Sequence, residues 1–407
     1  MHKNSSFSWA VGIENTFIPQ VRSDLRALDE YELTQHYQLW REDFDRVADL
    51  GISHIRWGVP WYRVNPQPDS FDWRWTDEVL EYLVVKKGIE PILDLMHYGT
   101  PLWLEQCFVD ADYAQRVAQY AHAFAERYRD LVRIYTPLNE PTVNAEYCGR
   151  LGQWPPYLQD EAGYVQVLLA LVRGMVGTAQ AVREARADAV FVQVEALGWL
   201  WSADESLQQQ VALRMAHAYL AFDLLMGCVD SEHILWPYLQ SHGVTEAELA
   251  WFREHATRMD ILGVNLYPWS GGELRWDAGG GITRHGELNG GHLGDVLRHA
   301  WQRYGLPMMV TETSARRDVQ GRAQWMDETI AAVREARREG IPVRGYTWFP
   351  AFTMIDWAYR VGDEPLESYL LHLGLWEGQF DRDGVLQRQT TPLVARYRRY
   401  IEEGMVP

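Results

Sequence analysis

Apolar residues in this chain recur in eight short and nearly continuous runs, at 6–14, 54–60, 90–98, 133–141, 190–197, 259–267, 307–314 and 344–352. Runs of this length without alternation are the pattern of parallel strands covered on both faces. Between them the spacing changes to three and four. Leu33, Tyr37, Trp40, Phe44 and Val47 fall on one helical face before Gly51, and Val79, Leu80, Leu83 and Val84 do so before Gly88. Val117, Tyr120, Ala121 and Phe124 form a third stripe, and Trp325, Met326, Ile330 and Val333 a fourth that stops near Gly340. Strand alternating with helix predicts a parallel sheet, and eight repeats close into an α/β fold of the (β/α)8 TIM-barrel type. The rival, an open doubly wound sheet, needs a glycine-rich phosphate loop after its first strand, and Gly12-Ile13-Glu14-Asn15 is not one. No repeat, low-complexity tract or linker divides the chain, so residues 1–407 are expected to form a single barrel domain. Glycine-rich stretches at 270–272, 279–281 and 290–291 lie in the connection after the sixth run, which is expected to shape a site.

Composition narrows the partners. With 38 basic and 56 acidic residues the net charge is −18, which repels nucleic acid and anionic lipid. The mixture of 47% apolar and 23% charged residues is globular. The most apolar stretch, 165–176, is interrupted by Gln166, Arg173 and Gly174 and falls short of a membrane span. Met1 to Ser6 lead into mixed sequence without the apolar core of a secretory signal. Cys107, Cys148 and Cys228 are odd in number and lack a CxxC pair, so neither a disulfide framework nor a cysteine metal site is expected. These features fit a soluble cytoplasmic protein with a small-molecule partner and no nucleic acid or membrane, with a homo-oligomer left open. No cofactor or metal is expected: a phosphate loop and a nucleophile elbow are lacking, and His285 and His292 have no third ligand in metal spacing. The 19 Trp, 21 Tyr and 12 Phe include ring faces suited to stacking on sugars.

In a barrel the reacting groups sit at the carboxyl ends of the strands. The eight runs end in an unusual set: Glu14, His97, Asn139 and Glu140, Glu195, Asn265 and Tyr267, Thr311 and Glu312. Placing such groups at the ends of apolar strands costs stability unless they are partnered, which favours a functional explanation. Glu140 and Glu312, from the fourth and seventh runs, would project into one barrel mouth. Two carboxyls in one pocket suit glycoside hydrolysis, one protonated to give a proton to the leaving oxygen and one ionised to attack the anomeric carbon. Their mutual repulsion separates the two roles. The structural alternative is that each glutamate pairs with an arginine.

The motifs around these residues are specific. Asn139-Glu140-Pro141 resembles the acid/base motif of glycoside hydrolase family 1, and Val310-Thr311-Glu312 resembles its nucleophile motif. Residues 56–63 are similar to its Arg-Phe-Ser-x-x-Trp-x-Arg strand, 97–104 to its His-Trp-Asp-x-Pro-x-Trp-Leu segment and 260–267 to its Asp-Phe-x-Gly-x-Asn-x-Tyr segment. The resemblance runs from about Phe7 to Trp376. It implies a retaining, exo-acting β-glycosidase with Glu140 as acid/base and Glu312 as nucleophile. By the same resemblance Arg56 and Tyr267 would hold the nucleophile ionised, Asn139 would bind the sugar 2-hydroxyl and His97 the 3-hydroxyl. Alternatives are an endo-acting or transglycosylating barrel of the same clan, and a non-catalytic carbohydrate-binding barrel. The chain also departs from the family. The glutamine after the first strand is missing, and Glu14 is the candidate substitute. Phe349 falls at the platform tryptophan, with Trp348 beside it, and the Glu-Trp pair that grips the outer hydroxyls is Asp356-Trp357. Sugar identity is where these departures bear.

Overall fold

The computed structural model describes residues 7–405, so Met1 to Ser6, including the first residue of the first run, lie outside the described residues. Each of the eight runs contributes a strand: β1 Ser8–Ile13, β2 His54–Gly58, β3 Glu90–Asp94, β4 Ile134–Thr136, β5 Val190–Ala196, β6 Ile261–Leu266, β7 Met308–Thr313 and β8 Val343–Trp348. They pair in sequence order, all parallel, and β8 pairs with β1 to close the barrel. One principal helix follows each strand: α1 His36–Ala48, α2 Arg74–Leu80, α3 Tyr113–Arg127, α4 Glu161–Ala185, α5 Gln208–Leu225, α6 His292–Tyr304, α7 Val319–Arg338 and α8 Pro392–Glu403.

The stripes read from the sequence are the faces that pack on the barrel. Tyr37, Trp40, Phe44 and Val47 of α1 are buried, as are Trp325, Met326, Ile330 and Val333 of α7. Helix α7 ends before Gly340, whose φ of +88° is the left-handed stop that glycine adopts without strain. Helix α4 carries the apolar stretch noted above and is long and apolar enough to cross a bilayer, but most of it is buried within the fold, with Leu168, Val172 and Met175 in the core.

The barrel interior is layered. Ala10, Ile92, Ile134, Val192, Val194 and Met309 form a small apolar cluster of their own inside it. Packing at this wall is tight: a Cβ on Gly263 would lie 2.9 Å from both Thr311 Cγ2 and Val194 Cγ2. Nearer the carboxyl ends, buried side chains turn polar, with Arg56, Asp94, Asn139, Asn265 and Thr311 all inaccessible to solvent. Beyond β6 the glycine-rich connection forms an antiparallel hairpin, Gly272–Trp276 with Ile282–His285, which adds to Leu200–Trp201 as a small three-stranded sheet.

Candidate active site

The carboxyl ends of the strands converge on a cavity of about 580 Å³ whose lining includes His97, Tyr98, Glu140, Tyr267, Glu312 and Phe349. A second groove of about 780 Å³, beside Tyr62, Arg63 and Trp75, is larger, but its charged groups are taken up in surface ion pairs, Arg63 with Glu32, Glu78 with Arg41 and Arg74 with Asp72. Chemistry, rather than volume, singles out the first.

Glu312 sits near the end of β7, where the register against β6 slips between Val310 and Glu312 and brings Glu312 opposite Asn265. Arg56 Nη1 donates to its Oε1 at 2.9 Å and Tyr267 Oη to its Oε2 at 2.7 Å. A guanidinium and a phenol on a carboxylate favour its ionised form. Arg56 is fully buried, which opposes its charge, yet Glu14, Glu312 and Asp94 outweigh that and hold it above its ordinary value.

Glu140 lies just past β4 at φ +47°, a backbone that a non-glycine residue adopts only when the surroundings force it. Asn265 Nδ2 donates to its Oε1 at 2.8 Å and the Tyr98 hydroxyl donates to its Oε2. The Asn265 amide is oriented by Thr311 Oγ1, which donates to its Oδ1 at 2.6 Å. No cation touches this carboxyl among the described residues. Burial first, and then the charge of Glu312, push Glu140 up to about 7, against the opposing hydrogen bonds of Tyr98 and Asn265. The two glutamates therefore stand in one cavity with different partners, one bonded by a cation and one held among neutral donors.

Residues 17–230, more than half of the chain, match the model of glycosyl hydrolase family 1. The chain belongs to glycoside hydrolase family 1. It is 23% identical over 357 residues to β-glucosidase A of Thermotoga maritima, covering 79% of each chain. It is 23% identical over 400 residues to β-glucosidase 47 of Arabidopsis thaliana, covering 85% of this chain and 72% of that one. A solved family 1 β-glucosidase from Thermotoga maritima has the same fold, with a TM-score of 0.85 at 18% identity over 100% of this chain and 99% of that one. The same fold, again at a TM-score of 0.85 and 18% identity over 98% of each chain, is seen in that β-glucosidase in complex with deoxynojirimycin. This protein is thus a glycoside hydrolase of the β-glucosidase-like kind.

In this family 1 glycosidase the remaining candidates divide into two groups. His97, Tyr267, Phe349 and Trp357 line the cavity. His97 Nδ1 lies 3.0 Å from Asp94 Oδ2 and 3.3 Å from Glu14 Oε2, so it carries the proton, leaving Nε2 to accept from Asn139 Nδ2 at 3.2 Å. The Asn139 Oδ1 takes Arg56 Nη2 at 3.2 Å, so the amide is anchored at both ends and fully buried. Trp357 is walled by Tyr98, Tyr147 and Trp154 at ring separations of 5.6, 5.5 and 5.0 Å.

Arg56 and Asn139 are fully buried and do not line the cavity, and neither do Trp348, Asp356 and Glu14. Trp348 is fully buried, its indole donating to the Leu373 carbonyl at 3.2 Å, while its neighbour Phe349 presents its ring to the cavity. The strand ends at Trp348, and of the pair only Phe349 borders the cavity, which leaves it as the candidate platform. Asp356 caps the short turn Trp357–Arg360 by accepting from Ala358 N at 2.9 Å, and its Oδ2 is 3.1 Å from Arg316 Nη2. Glu14 is turned inward. Its Oε1 is 2.9 Å from Arg56 Nη1 but off the line of the N–H bonds, and burial raises its pKa well above the ordinary carboxylate value. Glu14, His97 and Glu312 bring ligand-type atoms within 4.8 Å of one another, a spacing a metal ion could use. The Arg56 guanidinium already stands 2.9 Å from both carboxylates, so the positive charge of this cluster is built into the chain.

Sequence reading assigned no role to Tyr98, Asp94, Asn265 or Arg316. Tyr98 stands in the segment similar to His-Trp-Asp, where only the change of ring type hints at a new hydroxyl. Arg316, four residues past Glu312, lines the cavity mouth with Glu287 and Trp269. The glycine-rich connection thus borders the site, as its composition suggested.

Proposed function

We propose that this protein is a retaining, exo-acting β-glycosidase that removes a terminal β-linked sugar by double displacement, with Glu312 as nucleophile and Glu140 as acid/base. The observation that carries the reading is the asymmetry of the two carboxyls in one cavity: Glu312 bonded by Arg56 and Tyr267, Glu140 by Asn265 and Tyr98 alone. In the first step ionised Glu312 attacks the anomeric carbon while Glu140 protonates the leaving oxygen. In the second, Glu140 takes a proton from water, which attacks the glycosyl ester. The roles of reading the sugar's 3- and 2-hydroxyls fall to His97 and Asn139 by family resemblance; His97 borders the cavity, whereas Asn139 is buried and bonded at both ends of its amide, and the aromatic wall behind Trp357 supports a site for one terminal sugar. Glucose is the reference sugar, since relatives are named β-glucosidases. With Glu14 turned inward and Asp356 engaged by Arg316, the outer hydroxyls are held less tightly than a glucose-specific clamp would hold them. Three free cysteines support a reducing, cytoplasmic setting.

The test is the stereochemistry of azide rescue. Glu312→Ala should lose nearly all turnover and, with azide, yield the α-glycosyl azide. Glu140→Ala should yield the β-glycosyl azide from the accumulated ester. The same anomer from both variants would show that the roles are wrongly assigned. An initial α-anomer from a β-glycoside in a proton NMR time course would overturn retention.

A further inference from the structure

The Tyr98 hydroxyl has an unusual place. It donates to Oε2 of Glu140 and accepts from Asn139 Nδ2 at 3.2 Å, so its single proton is directed at the carboxyl. The ring is held edge-on by His97 at 4.6 Å and by Trp357 at 5.6 Å, and tilted against Trp154 at 5.1 Å, with 1% of the residue exposed. Its backbone stands at φ +81°, a left-handed conformation costly for an aromatic residue. The other oxygen of Glu140 faces the Asn265 amide nitrogen, which can only donate. Of the groups bonded to Glu140, Tyr98 is therefore the one that can either give or receive a hydrogen bond. It can follow the carboxyl as it changes protonation state, donating to the carboxylate and accepting from the acid.

We infer that Tyr98 is a positioning residue for the acid/base, whose hydroxyl aims the Glu140 carboxyl and sets how readily that carboxyl holds its proton. The inference rests on the acid/base role of Glu140. Burial, with the charge of Glu140 next, raises the pKa of Tyr98 well above its ordinary value, so the hydroxyl keeps its proton across the working range and acts as a donor rather than a base. Because a hydrogen bond to the carboxylate favours the ionised form, Tyr98 pulls Glu140 downward against burial.

The experiment is the pH dependence of kcat/KM for phenyl β-D-glucoside, whose leaving group needs a proton, in the wild type, Tyr98→Phe and a variant carrying 3-fluorotyrosine at position 98. Loss of the hydroxyl should move the alkaline limb up by about one pH unit. The more acidic fluorotyrosine hydroxyl donates more strongly and should move the limb down. Superimposable limbs in wild type and either folded variant overturn the inference. Should Tyr98→Phe fail to fold, the fluorotyrosine limb decides alone, since that change keeps the ring and the bond. Glu140→Gln separates this outcome from failure of the parent reading: an alkaline limb that survives in Glu140→Gln removes the acid/base assignment itself, and the inference with it.

Discussion

Glu140 and Glu312 are chemically identical side chains, and what separates them is the company each keeps. Glu140 must be protonated to act in the first step, so kcat/KM should fall as pH rises through about 7, the value to which burial and the charge of Glu312 push it. A limb below pH 5 would contradict this. When Glu312 becomes an ester its charge disappears, and that part of the upward push on Glu140 goes with it, leaving a carboxylate suited to take a proton from water in the second step. On the nucleophile's side, Tyr267→Phe removes one donor from Glu312 and keeps the ring. A hydrogen bond to a charged group is worth about 1.5–3 kcal/mol, so kcat/KM should drop about 10- to 150-fold in a variant that still folds. Arg56→Met is a different experiment. It leaves Glu14, Asp94 and Glu312 buried around a missing cation and should cost about 3–5 kcal/mol of stability, read by denaturant unfolding.

Among the elements, strands were easy to read because each is covered on both faces, and helices because one stripe of each is buried. Gly263 in β6 marks how closely the strands approach. Gly263→Val would drive methyl groups into Thr311 and Val194 and should destabilise the barrel by about 1–3 kcal/mol, seen as a lower Tm; an unchanged Tm would mean that the wall can give. The runs misled where the site begins. The run at 90–98 leaves the ladder after Asp94 and passes through Tyr98 at φ +81°, and the run at 133–141 leaves it after Thr136 and turns at Glu140. Apolar composition continues through both bends, so nothing in the pattern announces the turn that aims Tyr98 and Glu140 into the cavity. The structure brings the motif residues Glu140, Glu312, Arg56, His97 and Tyr267 into one cluster. The motifs did not tell which of Trp348 and Phe349 borders the cavity, because the strand ends at Trp348 and its alternation of faces stops there. Nor did they tell that Glu14 turns inward, since that depends on the Arg56 charge arriving from the neighbouring strand.

For the whole molecule, several carboxyls are buried with raised pKa values: Glu14 and Glu30 well above the ordinary range, and Glu195 up to about 8, in each case with burial as the leading cause. The folded chain then holds more protons than the unfolded chain between the ordinary carboxylate range and about pH 8. Stability from these groups is present at low pH and is lost as pH rises through that window, partly offset in its lower part by His36 and His217, which burial pulls below the ordinary histidine value so that their contribution rises with pH up to about 6.5. The Tm should therefore decline from pH 5 to 8, and Glu195→Gln should lessen that decline; an identical decline in the variant would remove Glu195 from the account. The arginine described above ties the site to the architecture. Arg56 starts on β2 and reaches Glu14 just past β1, Asp94 on β3, Asn139 just past β4, and Thr311 and Glu312 on β7. A single guanidinium thus fastens the two halves of the barrel together, and the nucleophile acquires its clamp only when the ring of strands is complete. Half-barrels cut between β4 and β5 should accordingly be inert when expressed apart and regain turnover only on reassembly, which makes enzymatic activity itself a reporter of barrel closure.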